Sequence, residues 1–190
     1  RKLSNLVRPD IGIITNIGKA HLEGFGSYEG VVKAKSELYT YIESNGNFVF
    51  VNSDNQLLLE LSEKCKNKTY GSTSNAHIKG RLVSEFPTLI FEFSDSKNSI
   101  PIECKTKIIG AYNFENIMAA IAVGFEFGVV SKDISIAVGM YESENNRSQL
   151  IQTEHNKIVL DAYNANPMNM KASIESFAKM HGENKLVILG

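Results

Sequence analysis

The chain has 190 residues, 43% hydrophobic and 22% charged, the composition of a folded globular protein rather than a disordered or fibrous one. Its 20 Lys and Arg nearly balance 21 Asp and Glu, for a net charge of -1, which argues against nucleic acid or an anionic membrane as the main partner. Cys65 and Cys104 have neither CxxC spacing nor a Cys/His cluster around them, so they read as free thiols in a reducing compartment. No apolar run is long enough to span a bilayer, and no signal peptide is visible. The chain opens on Arg-Lys-Leu-Ser without Met and stops just after the apolar "KLVILG". It therefore reads as a piece of a longer protein, cut at both ends.

In chain order, "IGIITNIG" (residues 11–18) is a continuous apolar run that suits a strand buried on both faces of a parallel sheet. A helix is expected from about Ser27 to Glu43. A second buried strand follows at residues 47–52, then a helix in "NQLLLELSEKCK" and a short strand in "KTYGS". This β-α-β-α-β order is the signature of a parallel sheet with crossover helices. Residues 76–110 alternate apolar and polar residues between turn signals and read as antiparallel strands of a small appended sheet. Residues 113–128 form a helix in which Ala119, Ala120 and Gly124 allow close packing, and residues 131–141 form another, capped by Ser131. A second αβ unit begins near residue 150. It has a strand in "NKIVLDAYN", a helix with Asn166 as N-cap and Pro167 at its first position, and a strand in "NKLVILG". The polar loop at residues 142–149 is the expected domain boundary.

Five sites draw attention as carriers of chemistry. His21 follows the carboxyl end of the first strand, where ligands gather in open α/β sheets, although a surface histidine in a glycine-rich loop fits as well. Lys35 falls on the same helical face as Val31, Leu38 and Ile42. A lysine there either snorkels, or is desolvated to a neutral amine that can add carbon dioxide and become an anionic oxygen ligand for a hard cation. Asn113 and Asn116, three apart at a helix start, put two amides on one side, where they can match the edge of adenine; the plainer reading is a cap and a polar neighbour. Asp161, ending a strand, can accept from ribose hydroxyls or cap a turn. Arg147, in the loop between two domains, can reach a phosphate or be simply solvated.

Taken together, "TNIGKAHLEGFGSYEGVVKAK", "GAYNFENIMAAIAVG" and "DAYNANPMNMKAS" resemble three consecutive signatures of the Mur ligases, over essentially the whole chain. The resemblance implies an α/β fold in two parts. Residues 1–147 would be the later part of a mostly parallel, P-loop-type central ATPase domain with an appended antiparallel sheet, and residues 148–190 the first βαβ unit of a Rossmann-like C-terminal domain. It implies that Lys35 is the carbamylated lysine and His21 a magnesium ligand. Asn113 and Asn116 would lie on the adenine side, Arg147 near the nucleotide phosphates and Asp161 on the ribose. The cofactors implied are ATP and Mg²⁺, and the substrates a UDP-N-acetylmuramoyl tripeptide and D-alanyl-D-alanine, joined by a cytoplasmic, monomeric parent enzyme with no membrane insertion. The wording "AHLEGFGS" and "YNANP" points to that substrate pair. Another ligase of the same fold, such as a folylpolyglutamate synthase, and a non-catalytic nucleotide-binding module are the alternatives.

The sequence also departs from the family pattern. It lacks the P-loop G-x-x-G-K-[ST] and the acidic metal ligand expected before the first strand. Tyr112 stands where the family often has histidine, and Leu160 where it often has an acidic residue. The chain by itself is therefore expected not to turn over.

Overall fold

The computed structural model describes residues 2–18, 22–95, 100–144, 146–163 and 165–189. Its first elements are α1 (Lys2–Val7), β1 (Ile11–Ile13), α2 (Leu22–Phe25), α3 (Tyr28–Asn45), β2 (Phe48–Asn52), α4 (Gln56–Leu61) and β3 (Asn67–Gly71). β1, β2 and β3 pair in parallel, with Ile13 opposite Phe50 and Val51 opposite Thr69. β2 shows why a continuous apolar run makes an inner strand. Val49 and Val51 pack with α3 and α4, while Phe50 packs with the helix on the other face, and all three are buried.

The first strand is shorter than its apolar run. Only Ile11–Ile13 pair with β2; Ile14 and Ile17 leave the sheet and are buried beside Val31 of α3. Apolar character there reflects burial without pairing.

The antiparallel strands β4 (Ile78–Ser84), β5 (Ile90–Asp95) and β6 (Ile102–Lys105) do not form a separate sheet. They extend the first one, in the order β1-β2-β3-β4-β5-β6. β4 runs parallel to β3, yet residues 72–77 connect them without a crossover helix. A crossover of about a dozen residues is needed when a parallel strand must start beside its neighbour's beginning. Here β4 starts where β3 ends, pairing only Tyr70 with Ile78 and Gly71 with Lys79.

α5 (Asn113–Glu126) crosses the second face and buries Phe114, Met118 and Ile121 against Tyr70, Phe91 and Phe93. Ala119 is buried in the core and Gly124 lies close against Ile134, whereas Ala120 is exposed. α6 (Ser131–Met140) lies on β6. Its N-cap is Val130 and not Ser131, which is the first helical residue and makes no capping bond.

The second sheet is a hairpin of β7 (Gln149–Gln152) and β8 (Lys157–Leu160). β7 adds a strand before the one expected in "NKIVLDAYN", and only its first residue, Gln149, falls in the polar loop at residues 142–149. α7 (Pro167–Lys179) begins as expected, with the Asn166 side chain accepting from the Asn169 N–H. The strand expected in "NKLVILG" is unpaired at residues 185–189, with Leu186 and Ile188 exposed. The two-strand hairpin is antiparallel and offers that segment little buried surface to pair on.

Candidate active site

The carboxyl ends of β1, β2 and β3 and the start of α5 carry most of the polar chemistry. α3 is set there by the Ser27 side chain, which accepts from the Gly30 N–H at 3.1 Å. Backbone and Ser27 hydrogen bonds hold the Glu29 carboxyl below its ordinary range.

Lys35 is exposed, contrary to its apolar stripe, and its Nζ donates to the Asn16 carbonyl at 2.8 Å. The reason lies along the helix axis rather than around it. Leu38 and Ile42 sit over Gly12 of β1, where an added Cβ would lie 2.5 Å from Ile42 Cδ1. Lys35, a turn earlier, has passed the end of the strand and meets the departing loop. The burial argument for a carbamate therefore loses its premise, and the carbamate rests on the resemblance. His21 lies outside the described residues. Among those described, no three His, Cys, Asp or Glu side chains gather into a metal-holding group. The described residues alone do not make a metal centre; an oxygen-bearing modification of Lys35 would add one ligand beside Asn16.

Sequence reasoning missed a network at the ends of β2 and β3. Asn52 is 1% exposed. Its Oδ1 accepts from the Asp54 N–H at 2.9 Å, and its Nδ2 donates to Glu115 Oε2 at 3.1 Å. The Asp54 carboxylate accepts from the Ser72 N–H at 2.7 Å and from the Ser72 hydroxyl at 2.9 Å. Burial, and then the charge of Asp54, push the Glu115 carboxyl above its ordinary value, against the Asn52 bond. The signal available was "VNSDN" following a buried strand.

The two α5 asparagines come together as expected. Asn113 Nδ2 donates to the Ile109 carbonyl at 2.9 Å, and Asn116 Nδ2 lies 3.4 Å from Asn113 Oδ1. Asn113 is half-buried and braces the turn before the helix; Asn116 is the exposed member of the pair.

Asp161 meets the loop that carries Arg147 at the base of the β7–β8 hairpin. The Ser148 N–H donates to Asp161 Oδ1 at 3.1 Å, and the Ala162 N–H donates to the Asn146 carbonyl at 2.8 Å. The Arg147 guanidinium carbon lies 3.6 Å from the centroid of the Tyr163 ring, a cation–π stack on an exposed face. Tyr112, just before Asn113, reaches the hairpin with its hydroxyl 2.6 Å from Ser148 Oγ. Burial pushes its phenol up, so the hydroxyl keeps its proton. Three polar groups thus emerge: Lys35 bonded to Asn16, the network of Asn52, Asp54, Ser72 and Glu115, and a third in which Tyr112, next to Asn113 in the chain, is linked through Ser148 to Asp161.

The Mur ligase middle domain matches residues 1–124. A UDP-N-acetylmuramoyl-tripeptide–D-alanyl-D-alanine ligase of Bacillus subtilis (strain 168) is 33% identical over 191 residues, covering 99% of this chain and 40% of its own length. The crystal structure of MurF from Acinetobacter baumannii superposes with a TM-score of 0.78 at 25% identity, over 94% of this chain and 39% of that one. The MurF ligase of Thermotoga maritima, solved in complex with ADP, shares the fold with a TM-score of 0.79 at 21% identity, over 95% of this chain and 42% of its own. Other Mur ligases match as well. The chain thus spans about 40% of the length of the UDP-N-acetylmuramoyl-tripeptide–D-alanyl-D-alanine ligase from Bacillus subtilis. It belongs to the Mur ligase family, whose middle domain its residues 1–124 carry.

Proposed function

We propose that the whole protein is an ATP-dependent amide ligase of peptidoglycan precursor synthesis, acting in the cytoplasm. It joins D-alanyl-D-alanine to a UDP-N-acetylmuramoyl tripeptide. The observation that carries this reading is the 33% identity to a UDP-N-acetylmuramoyl-tripeptide–D-alanyl-D-alanine ligase over 99% of the chain, against 26% to a UDP-N-acetylmuramate–L-alanine ligase over 96%. We place the domain boundary at residues 147 and 148, where the hairpin begins.

In this reading the terminal carboxylate of the tripeptide takes a phosphoryl group from ATP and becomes an acyl phosphate. The dipeptide amine adds to the acyl carbon, and the tetrahedral intermediate expels phosphate as the amide forms. Asn116, the exposed amide, meets the adenine edge, and Asn113 holds the turn that presents it. Asp161 uses Oδ1 on the Ser148 N–H, and its carboxylate accepts from ribose hydroxyls with the other oxygen. Arg147 leaves the Tyr163 ring to reach the phosphates as the C-terminal part closes. Lys35, as a carbamate, and His21 would hold Mg²⁺. That ion, when bound, neutralises charge on the transferred phosphoryl group. The P-loop is absent from this chain, so turnover belongs to the full-length protein.

The test is product analysis by mass spectrometry with the full-length protein, ATP, Mg²⁺ and the UDP-tripeptide. A product that forms with the dipeptide and not with single amino acids supports the assignment. A product that forms with a single amino acid instead moves the protein to another ligase of the same fold.

A further inference from the structure

The proposed nucleotide residues stand on two separate elements. Asn113 and Asn116 belong to α5, while Arg147 and Asp161 flank the β7–β8 hairpin. Holding one ligand from both requires a fixed distance between them, because each loose degree of freedom is lost on binding. Tyr112 spans that gap.

The Tyr112 ring lies on Gly110, where an added Cβ would come within 2.5 Å of its Cε1, and Gly110 has a φ of +83°. Glycine is needed there on both counts. The ring so placed brings its hydroxyl 2.6 Å from Ser148 Oγ. Ser148 is 6% exposed, and its N–H is the donor to Asp161 Oδ1. Asn146 and Ser148, on either side of Arg147, have φ of 59° and 46°. Non-glycine residues hold such angles only where surrounding contacts impose them. The contacts here are the Tyr112 hydroxyl, the Asp161 carboxylate and the Ala162 N–H.

We propose that Tyr112 is a positioning residue for the nucleotide: through Ser148 it holds the Arg147 loop and the Asp161 carboxylate in register with the α5 asparagines, so that base and ribose are gripped as one unit. The proposal rests on the nucleotide-site reading given above. Tyr112 acts through Ser148 and Asp161 and touches no reacting atom.

The test uses the full-length protein, with ATP binding measured by calorimetry and turnover by phosphate release. Tyr112→Phe removes only the hydroxyl. Its Kd and KM for ATP rise about fivefold, the loss of roughly one ordinary hydrogen bond, while kcat changes less than twofold. Ser148→Ala shifts both in the same direction, and the double variant loses less than the sum of the two single ones, because both remove the Tyr112–Ser148 bond. Tyr112→His, which keeps a ring N–H, recovers part of the affinity. Should Tyr112→Phe be too unstable to purify, Ser148→Ala carries the same expectation. A folded Tyr112→Phe or Ser148→Ala protein with unchanged affinity for ATP overturns the proposal, as does a double variant whose losses add. Wild-type protein that binds no ATP overturns the nucleotide reading itself, and this is seen before any variant is made. A weakened Asn116→Ala beside an unchanged Tyr112→Phe leaves the nucleotide site standing and removes only the positioning role.

Discussion

Asn52→Ala tests the network at the end of β2. The side chain is buried and makes two bonds, accepting from the Asp54 N–H at 2.9 Å and donating to Glu115 at 3.1 Å. A net hydrogen bond between neutral groups contributes about 1 kcal/mol, and one to a charged group about 1.5–3 kcal/mol. Water can replace part of the second, since Glu115 reaches the surface. The expected loss is therefore about 2–3 kcal/mol. For a protein of this size that lowers Tm by about 4–12 °C. Differential scanning calorimetry measures it, with Gln56→Ala as the control, because Gln56 bonds only Glu60 on an exposed helix face. A double-mutant cycle with Glu115→Ala isolates the strand-to-helix bond and should show coupling of about 1–2 kcal/mol. A Tm within about 1 °C of wild type, with no coupling to Glu115, would refute the idea that Asn52 ties the sheet to α5.

Glu115→Gln should stabilise the fold at neutral pH. The Glu115 carboxyl is raised above its ordinary 4.5, so the folded state binds its proton more tightly than the unfolded one. Stability then falls as pH rises from 4.5 through the raised value, and the glutamine, which keeps an acceptor for Asn52, removes that loss. Urea titrations should show a gain at pH 7 that vanishes below pH 4.5; an equal effect at both would contradict the sign. Lys35→Ala should abolish turnover of the full-length enzyme while changing stability by less than about 0.5 kcal/mol, because the residue is exposed. Lys35→Glu, with a carboxylate on a shorter stem, should retain some activity; normal turnover by Lys35→Ala would remove the metal-carbamate role. Asn116→Ala should raise KM for ATP about tenfold, consistent with losing one adenine-edge contact; an unchanged KM would return Asn116 to a purely structural part.

What could be read from the sequence was local in its physics. Phe48–Val51 announce a strand buried on both faces because every residue is apolar, and Ser27, Asn166 and Pro167 mark helix starts by their own chemistry. The misreadings depended on partners. Ile14 and Ile17 are as apolar as a strand requires, but burial under α3 uses them without pairing. The union of β4–β6 with the parallel sheet hangs on two residue pairs at the end of β3. Lys35 has the helical angle of a buried residue, yet its position along the axis carries it past the strand. Within the site, Asn113 and Asn116 were legible through their i, i+3 spacing. Asn52, Glu115 and Ser148 were not, because each gains meaning only from a side chain or carboxylate distant in sequence.

The most direct measurement of the ligase account is an isotope transfer in the full-length enzyme. The UDP-tripeptide carries ¹⁸O in its terminal carboxylate, and phosphate released in the presence of ATP, Mg²⁺ and D-alanyl-D-alanine is analysed by mass spectrometry. One ¹⁸O atom in each phosphate, appearing only with the dipeptide, is the predicted result, since the oxygen that joins carbon to phosphorus in the acyl phosphate leaves with phosphorus. Phosphate without the label, or labelled equally in the absence of the dipeptide, would contradict the account.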